Sequence, residues 1–211
     1  TSAKDTIQLQ VYIFSSDETG KLVGSALLEA AKRGVKVYIV LDGYASQSLH
    51  GKMIQEWQTA GIHFRFFEPL FKSHHFYFGR RLHHKMLVVD ARYALVGGIN
   101  IADRYNDIGG IPAWLDFALK VEGGVVKELC VLAWKTWNGF AINSNLPTCK
   151  PIQVPESSSA TSVLVRMRRN DWVRRKNQIS RTYIEMFKKA NSQITICCSY
   201  FLPGRILQRN I

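Results

Sequence analysis

His83-His84-Lys85-Met86-Leu87-Val88-Val89-Asp90, followed after six residues by Gly97-Gly98-Ile99-Asn100, decides how this chain is read. The pattern is H-x-K-x4-D-x6-G-G-x-N. Met86–Val89 and Tyr93–Val96 are runs of apolar, β-branched or aromatic residues, and Asp90-Ala91-Arg92 lies between them as a turn. That predicts a β-hairpin, although the strongest turn pair, Asn-Gly, is missing. Residues i and i+2 of a strand share a face, so His83 and Lys85 point the same way and His84 the other way, into a structural role. If the hairpin turns at Ala91, residues whose numbers sum to about 182 face each other. Lys85 then faces Gly97, and Asn100 returns beside His83. Two glycines without Cβ would leave room for a ligand near the backbone. The expected pocket floor carries an imidazole, an ammonium and a carboxamide, which suits an oxyanion such as phosphate.

Matched at His83, Lys85, Asp90, Gly97 and Asn100, this spacing resembles the HKD motif of the phospholipase D superfamily. The resemblance implies that His83 attacks phosphorus to give a phosphohistidine, with no metal and no cofactor, while Lys85 and Asn100 bind phosphate oxygens. Family members orient the histidine with a carboxylate on a following strand. Asp116, in Trp114-Leu115-Asp116-Phe117, matches it, and its apolar neighbours point to a buried strand. Asp90 belongs to the catalytic motif by spacing. Hairpin geometry puts it at the turn, far from His83, with a structural role and Arg92 or a backbone amide as partner. Gly97, Gly98, Arg80 and Arg81 are the expected substrate contacts.

The net charge of +12 implies an anionic partner: nucleic acid, a phospholipid surface or a phosphorylated substrate. Hydrophobic residues make up 46% of the 211, ample for a core. Cys130, Cys149, Cys197 and Cys198 form no metal-type pair and read as free thiols in a reducing compartment. No apolar run approaches the ~18 residues that span a bilayer, so membrane contact within this chain is expected to be peripheral.

Organisation follows from periodicity. A strand at 7–14, a helix at 20–33 stopped by Gly34, and a strand at 35–41 form a βαβ unit, hence a parallel sheet buried on both faces. A helix at 50–60 and a strand at 62–67 follow, then the hairpin, a strand at 116–122 and a helix at 125–137. The fold class expected is α/β: a phospholipase D-like mixed, largely parallel sheet flanked by helices on both faces. Residues 141–162, rich in Asn, Pro and Ser, read as a linker between a first half, 1–140, and the beginning of a second, incomplete half, 163–211. In that second part a strand at 163–168, a helix at 174–190 and a strand at 193–201 are predicted. A weak repeat lays Ile7–Phe14 over Ile194–Phe201, so the chain starts again near residue 163 and is expected to continue past Ile211 to a second motif.

The whole chain resembles bacterial cardiolipin synthases, the B-type above others. The resemblance rests on Tyr12–Gly20, Ala30–Val37, Leu41-Asp42-Gly43-Tyr44, Trp114–Phe117, Val121-Glu122-Gly123 and Ser199–Gly204. It departs at Gln10, where an acidic residue is expected. What it implies is a phosphatidyltransferase at the cytoplasmic face of the bacterial inner membrane, held peripherally. The donor would be an anionic phospholipid of the phosphatidylglycerol type and the acceptor an alcohol. The second histidine would come from a missing C-terminal half or from a dimer. The segment 63–81 mixes aromatics with bases; Phe71, Phe76 and Phe78 are read as membrane contacts. Aromatics with bases also stack on unpaired nucleotides, so a one-motif nuclease acting as a homodimer stands as the alternative, with a non-catalytic lipid-binding fragment as a third reading.

Overall fold

The structure is a computed structural model. It describes residues 2–49, 51–67, 81–139, 147, 149–150, 163–171, 176–198 and 200–209. Arg80, Phe71, Phe76 and Phe78 lie outside the described residues. The chain divides into two compact units, 1–162 and 163–211.

The first unit is built on six strands: β1 (Thr6–Val11), β2 (Lys36–Asp42), β3 (His63–Phe67), β4 (Lys85–Val89), β5 (Tyr93–Gly97) and β6 (Ala118–Glu122), in the spatial order β3-β2-β1-β4-β5-β6. β1, β2 and β3 are parallel, joined through α1 (Glu18–Lys32) and α2 (Gly51–Thr59); β4, β5 and β6 each pair antiparallel to the strand before them in space. The sheet is therefore mixed, as expected. It is not the largely parallel sheet expected: the pairings within the βαβαβ half are parallel, and the three made by β4, β5 and β6 are antiparallel, the tight β4–β5 hairpin fixing the first reversal. α1 starts where Asp17 caps it, its carboxylate accepting from the Gly20 N–H at 3.0 Å, and stops before Gly34, which takes φ +87°.

Strand alternation sorts side chains to two faces. Ile7, Leu9 and Val11, beside Val37, Ile39 and Leu41, meet Leu27, Ala30 and Trp57 of α1 and α2 in the main core. Gln8, Gln10 and Met86 belong to the opposite face, where α3 (Gly124–Trp137) packs and Gln10 reaches the Ala133 carbonyl. Lys85, Leu87 and Val89 share the α1 face. There the sheet is incompletely covered, and an apolar trough of about 830 Å³ is lined by Leu22, Ala26, Leu87, Leu95, Ile99 and Lys85 among others.

Two further expectations are corrected. Cys130, on α3, and Cys149 form a disulfide, with Cα atoms 6.0 Å apart, well within bonding range. Cys197 and Cys198 are free and exposed. In the second unit, neither 163–168 nor 193–198 is a strand. Its described elements are a two-residue pairing of β7 (Asn170–Asp171) with β8 (Lys176–Asn177), α4 (Gln178–Lys189) and a short α5 (Arg205–Gln208). A strand must pair its backbone groups with a neighbour, and the described residues of this unit offer none to these apolar segments.

Candidate active site

The hairpin carries the site. β4 and β5 pair Met86 with Val96, Leu87 with Leu95, Val88 with Ala94 and Val89 with Tyr93, the register predicted for a turn at Ala91. The Arg92 N–H donates to the Val89 carbonyl at 2.9 Å, and both central residues take positive φ, 53° at Asp90 and 49° at Ala91, the type I′ pattern. Asp90 stays at the turn. Its carboxylate accepts from the backbone N–H groups of Lys4, Asp5 and Thr6 at 2.9–3.0 Å, tying the hairpin to the start of β1. Arg92 instead bonds Glu122 across the sheet.

His83 is exposed, just before β4, and its ring stacks on Tyr12 at 4.4 Å. Partial desolvation of the ring pushes its pKa below the ordinary histidine value; the Lys85 and Arg81 cations act the same way, and Asp42 opposes them. The imidazole is thereby biased to its neutral form, the form with a lone pair to give. Lys85 projects to the same side. Its ammonium donates to the His83 carbonyl at 3.1 Å and lies 5.1 Å from the Tyr12 ring centroid. Burial holds the Lys85 pKa below the usual lysine value, against the pull of Asp116. Arg81 stacks on Tyr44 at 4.6 Å. The chain thus gathers an imidazole biased toward its neutral form and two cations that act on it.

Asn100 is buried. Its Oδ1 accepts from the Ile13 N–H at 3.0 Å and its Nδ2 donates to the Tyr105 hydroxyl at 2.9 Å. The oxygen is thus committed to the scaffold, and the amide nitrogen carries one hydrogen beyond that donated to Tyr105. The room at Gly97 and Gly98 is filled by the chain itself. A Cβ on Gly97 would come within 2.2 Å of the Phe117 carbonyl oxygen, and one on Gly98 within 2.1 Å of Asp116 Oδ1. These glycines let β6 and Asp116 approach the hairpin rather than clearing space for a ligand. Asp116 precedes β6 in an exposed segment, not a buried strand, and the cation its charge acts on is Lys85. The carboxylate that acts on His83 is Asp42.

Asp42 and Gln10 are the residues that sequence reasoning passed over. Asp42, fully buried at the end of β2, accepts from Tyr44 and Ala45 through Oδ1 and from the Leu82 N–H through Oδ2 at 2.8 Å. Gln10 donates from Nε2 to the Ala133 carbonyl at 2.9 Å, which turns its Oε1 toward His84 Nδ1 at 2.9 Å and places a proton there. His83 therefore sits between two anchored neighbours, Leu82 and His84. An aspartate at the carboxyl end of a parallel strand is a signal that could have been read, since α/β sheets build sites there. For Gln10 the departure from an acidic residue was visible, but not its partner.

Residues 1–108 match the family model described as "Cardiolipin synthase, PLD-like domain". The chain belongs to this family. It is 32% identical over 206 residues to cardiolipin synthase B of Escherichia coli, covering 96% of this chain and 49% of that protein. It is 30% identical over 212 residues to the major cardiolipin synthase ClsA of Bacillus subtilis, covering 98% and 43%. The chain spans about half the length of these curated relatives. NucT from Helicobacter pylori shares the fold at a TM-score of 0.50 and 17% identity, over 65% of this chain and 81% of that one. Among the described residues of this phospholipase D-like chain, no group of three or more His, Cys, Asp or Glu side chains is placed to hold a metal ion.

Proposed function

We propose that this chain is the nucleophile-bearing half of a phospholipase D-type phosphatidyltransferase, cardiolipin synthase-like in donor and product class. The observation that carries the reading is His83: an exposed imidazole biased to neutrality and flanked by Lys85 and Arg81, in a chain whose curated relatives are named cardiolipin synthases. The His83 lone pair forms a P–N bond to the phosphorus of an anionic phospholipid, and the P–O bond to the leaving alcohol breaks. The leaving alkoxide takes a proton from a second histidine, supplied by a further half of the protein or by a partner copy. That histidine then removes the proton of the acceptor hydroxyl, whose oxygen displaces His83. Lys85, Arg81 and the Asn100 amide offset the charge that gathers on the equatorial phosphate oxygens. Asp90 serves this chemistry by holding the hairpin, and Asp116 by steadying Lys85. Residues 163–211 are the start of the second half, and attachment to the membrane surface is peripheral.

The test is covalent trapping with a headgroup-labelled and a phosphorus-labelled donor. The protein carrying both halves should retain phosphorus label alone, on His83, in an acid-labile and base-stable linkage. A His83→Ala protein that still transfers phosphatidyl groups overturns the mechanism. Turnover of single-stranded DNA by the 211-residue chain as a homodimer, without vesicle binding, replaces it with the nuclease reading.

A further inference from the structure

Between the site asparagine and β6 the chain holds a run of large apolar side chains in the open. Ile111 is 74% exposed, Trp114 61%, Leu115 79% and Phe117 66%. Large apolar side chains left open so close together in sequence mark something that covers them. The segment is also well tied down. Gly109 and Gly110, both with positive φ, close a turn bridged by Ile108 and Ile111. The Ala113 N–H donates to Asp107 Oδ1 and the Trp114 N–H to the Arg104 carbonyl, both at 2.8 Å. Side-chain contacts then run from the tip to the site. The Arg104 guanidinium lies 5.0 Å from the Trp114 ring centroid and 5.5 Å from that of Tyr105; the two rings meet edge-on at 5.8 Å; and the Tyr105 hydroxyl accepts from Asn100. At the other end, Asp116 stands over Gly98 and acts on Lys85.

We propose that this loop is the surface by which the protein enters an anionic phospholipid interface, with Ile111, Leu115 and Phe117 among the upper acyl chains and Trp114 with Arg104 at headgroup level. The inference deepens, and rests on, the phosphatidyltransferase reading. Three features select a lipid surface over a protein one. A tryptophan with a stacked arginine joins an apolar body to a polar, cationic head, the combination suited to a headgroup boundary. The chain's net charge of +12, carried outside residues 103–117 (Arg104 against Asp103, Asp107 and Asp116), attracts an anionic leaflet around the apolar loop. The loop's continuity with Asn100 and Lys85 means that insertion sets those residues at the depth where phosphodiesters lie. A lipid donor then reaches His83 without leaving the bilayer.

The experiment uses the 211-residue chain and vesicles of phosphatidylglycerol and phosphatidylcholine. Wild type should co-sediment with them, and lipids brominated near the headgroup should quench a part of the tryptophan emission that Trp114→Phe removes. Leu115→Ser, at a position open enough to spare the fold, should weaken partitioning roughly tenfold. That loss should persist near 0.15 M salt, where the ~8 Å Debye length has weakened the charge attraction. Quenching that Trp114→Phe leaves unchanged, or equal partitioning of Leu115→Ser and wild type, overturns the loop assignment. It also fails if Leu115→Ser keeps its vesicle binding and instead loses association with another half of the protein. These failures are separable from that of the enzymatic reading. Phosphohistidine trapping with a monomeric short-chain donor in the two-half protein does not need insertion of the loop into lipid, so its success there leaves the chemistry standing.

Discussion

His83 owes its position to its neighbours in sequence more than to contacts of its own. Leu82 is anchored through its N–H to Asp42, and His84 through its ring to Gln10. Charge around the ring then sets the direction of its titration. Asp42 favours the imidazolium, so Asp42→Asn should lower the His83 pKa further and carry the acid limb of activity to lower pH. Lys85 disfavours the imidazolium, so Lys85→Gln should raise the His83 pKa and carry the limb upward, with turnover in the two-half protein cut by about 10²–10³. Titration of the His83 ring by NMR in this chain checks both signs; two variants that move together would remove the electrostatic account. The motif itself was legible because His83, Lys85, Asp90, Gly97 and Asn100 lie within one hairpin, where spacing fixes geometry. Asp42 and Gln10 were not, because each meets its partner only through the fold, 40 and 74 residues away in sequence.

At the scale of the element, the hairpin was legible down to its register, since an apolar run on each side of a three-residue break leaves one alignment that keeps the faces consistent. The turn is less well suited to its residues. A non-glycine residue in the left-handed region is strained, and Ala91 has no side-chain oxygen to offset this. Ala91→Gly should therefore stabilise the protein by about 0.5–1 kcal/mol, read as a higher denaturant midpoint at unchanged slope. A lower midpoint would mean that the turn is held by something other than local backbone preference. Asp90→Ala should act in the opposite sense, by about 1–3 kcal/mol, because three backbone N–H groups lose a charged acceptor. Asp90→Asn keeps one acceptor oxygen and should fall between. The strands expected at 163–168 and over 193–198 were misread for the converse reason. Apolar alternation reports a strand's preference, whereas its formation needs a partner that lies elsewhere in the chain or beyond it.

For the molecule as a whole, the sheet, the two flanking helical layers and the family were readable from sequence. The covalent link was not, because pairing of Cys130 with Cys149 depends on where α3 ends in space. With a sequence separation of 19 between the two cysteines, the crosslink contributes about 3 kcal/mol in the chain-entropy account. Cys130→Ser with Cys149→Ser, or reduction, should lower the unfolding midpoint accordingly without moving His83, whose tethers come from β1 and β2. The proposed activity depends on a second histidine. The proposed mechanism requires a proton for the leaving alkoxide, which it draws from that histidine; the charged groups acting on His83 are the cations Lys85 and Arg81 and the buried Asp42 carboxylate, held by three backbone N–H groups. A positioned general acid contributes about 10²–10⁴-fold, so the 211-residue chain should turn over slower than the two-half protein by that factor. It should still form the adduct on His83 in a single event. Lys85 and Arg81 supply positive charge beside His83, and among the described residues no three His, Cys, Asp or Glu side chains are grouped to hold a metal ion, so activity of the two-half protein should survive EDTA. Loss on chelation, restored by a divalent ion, would show that a cation outside the protein, rather than Lys85 and Arg81, neutralises the phosphate in the transition state.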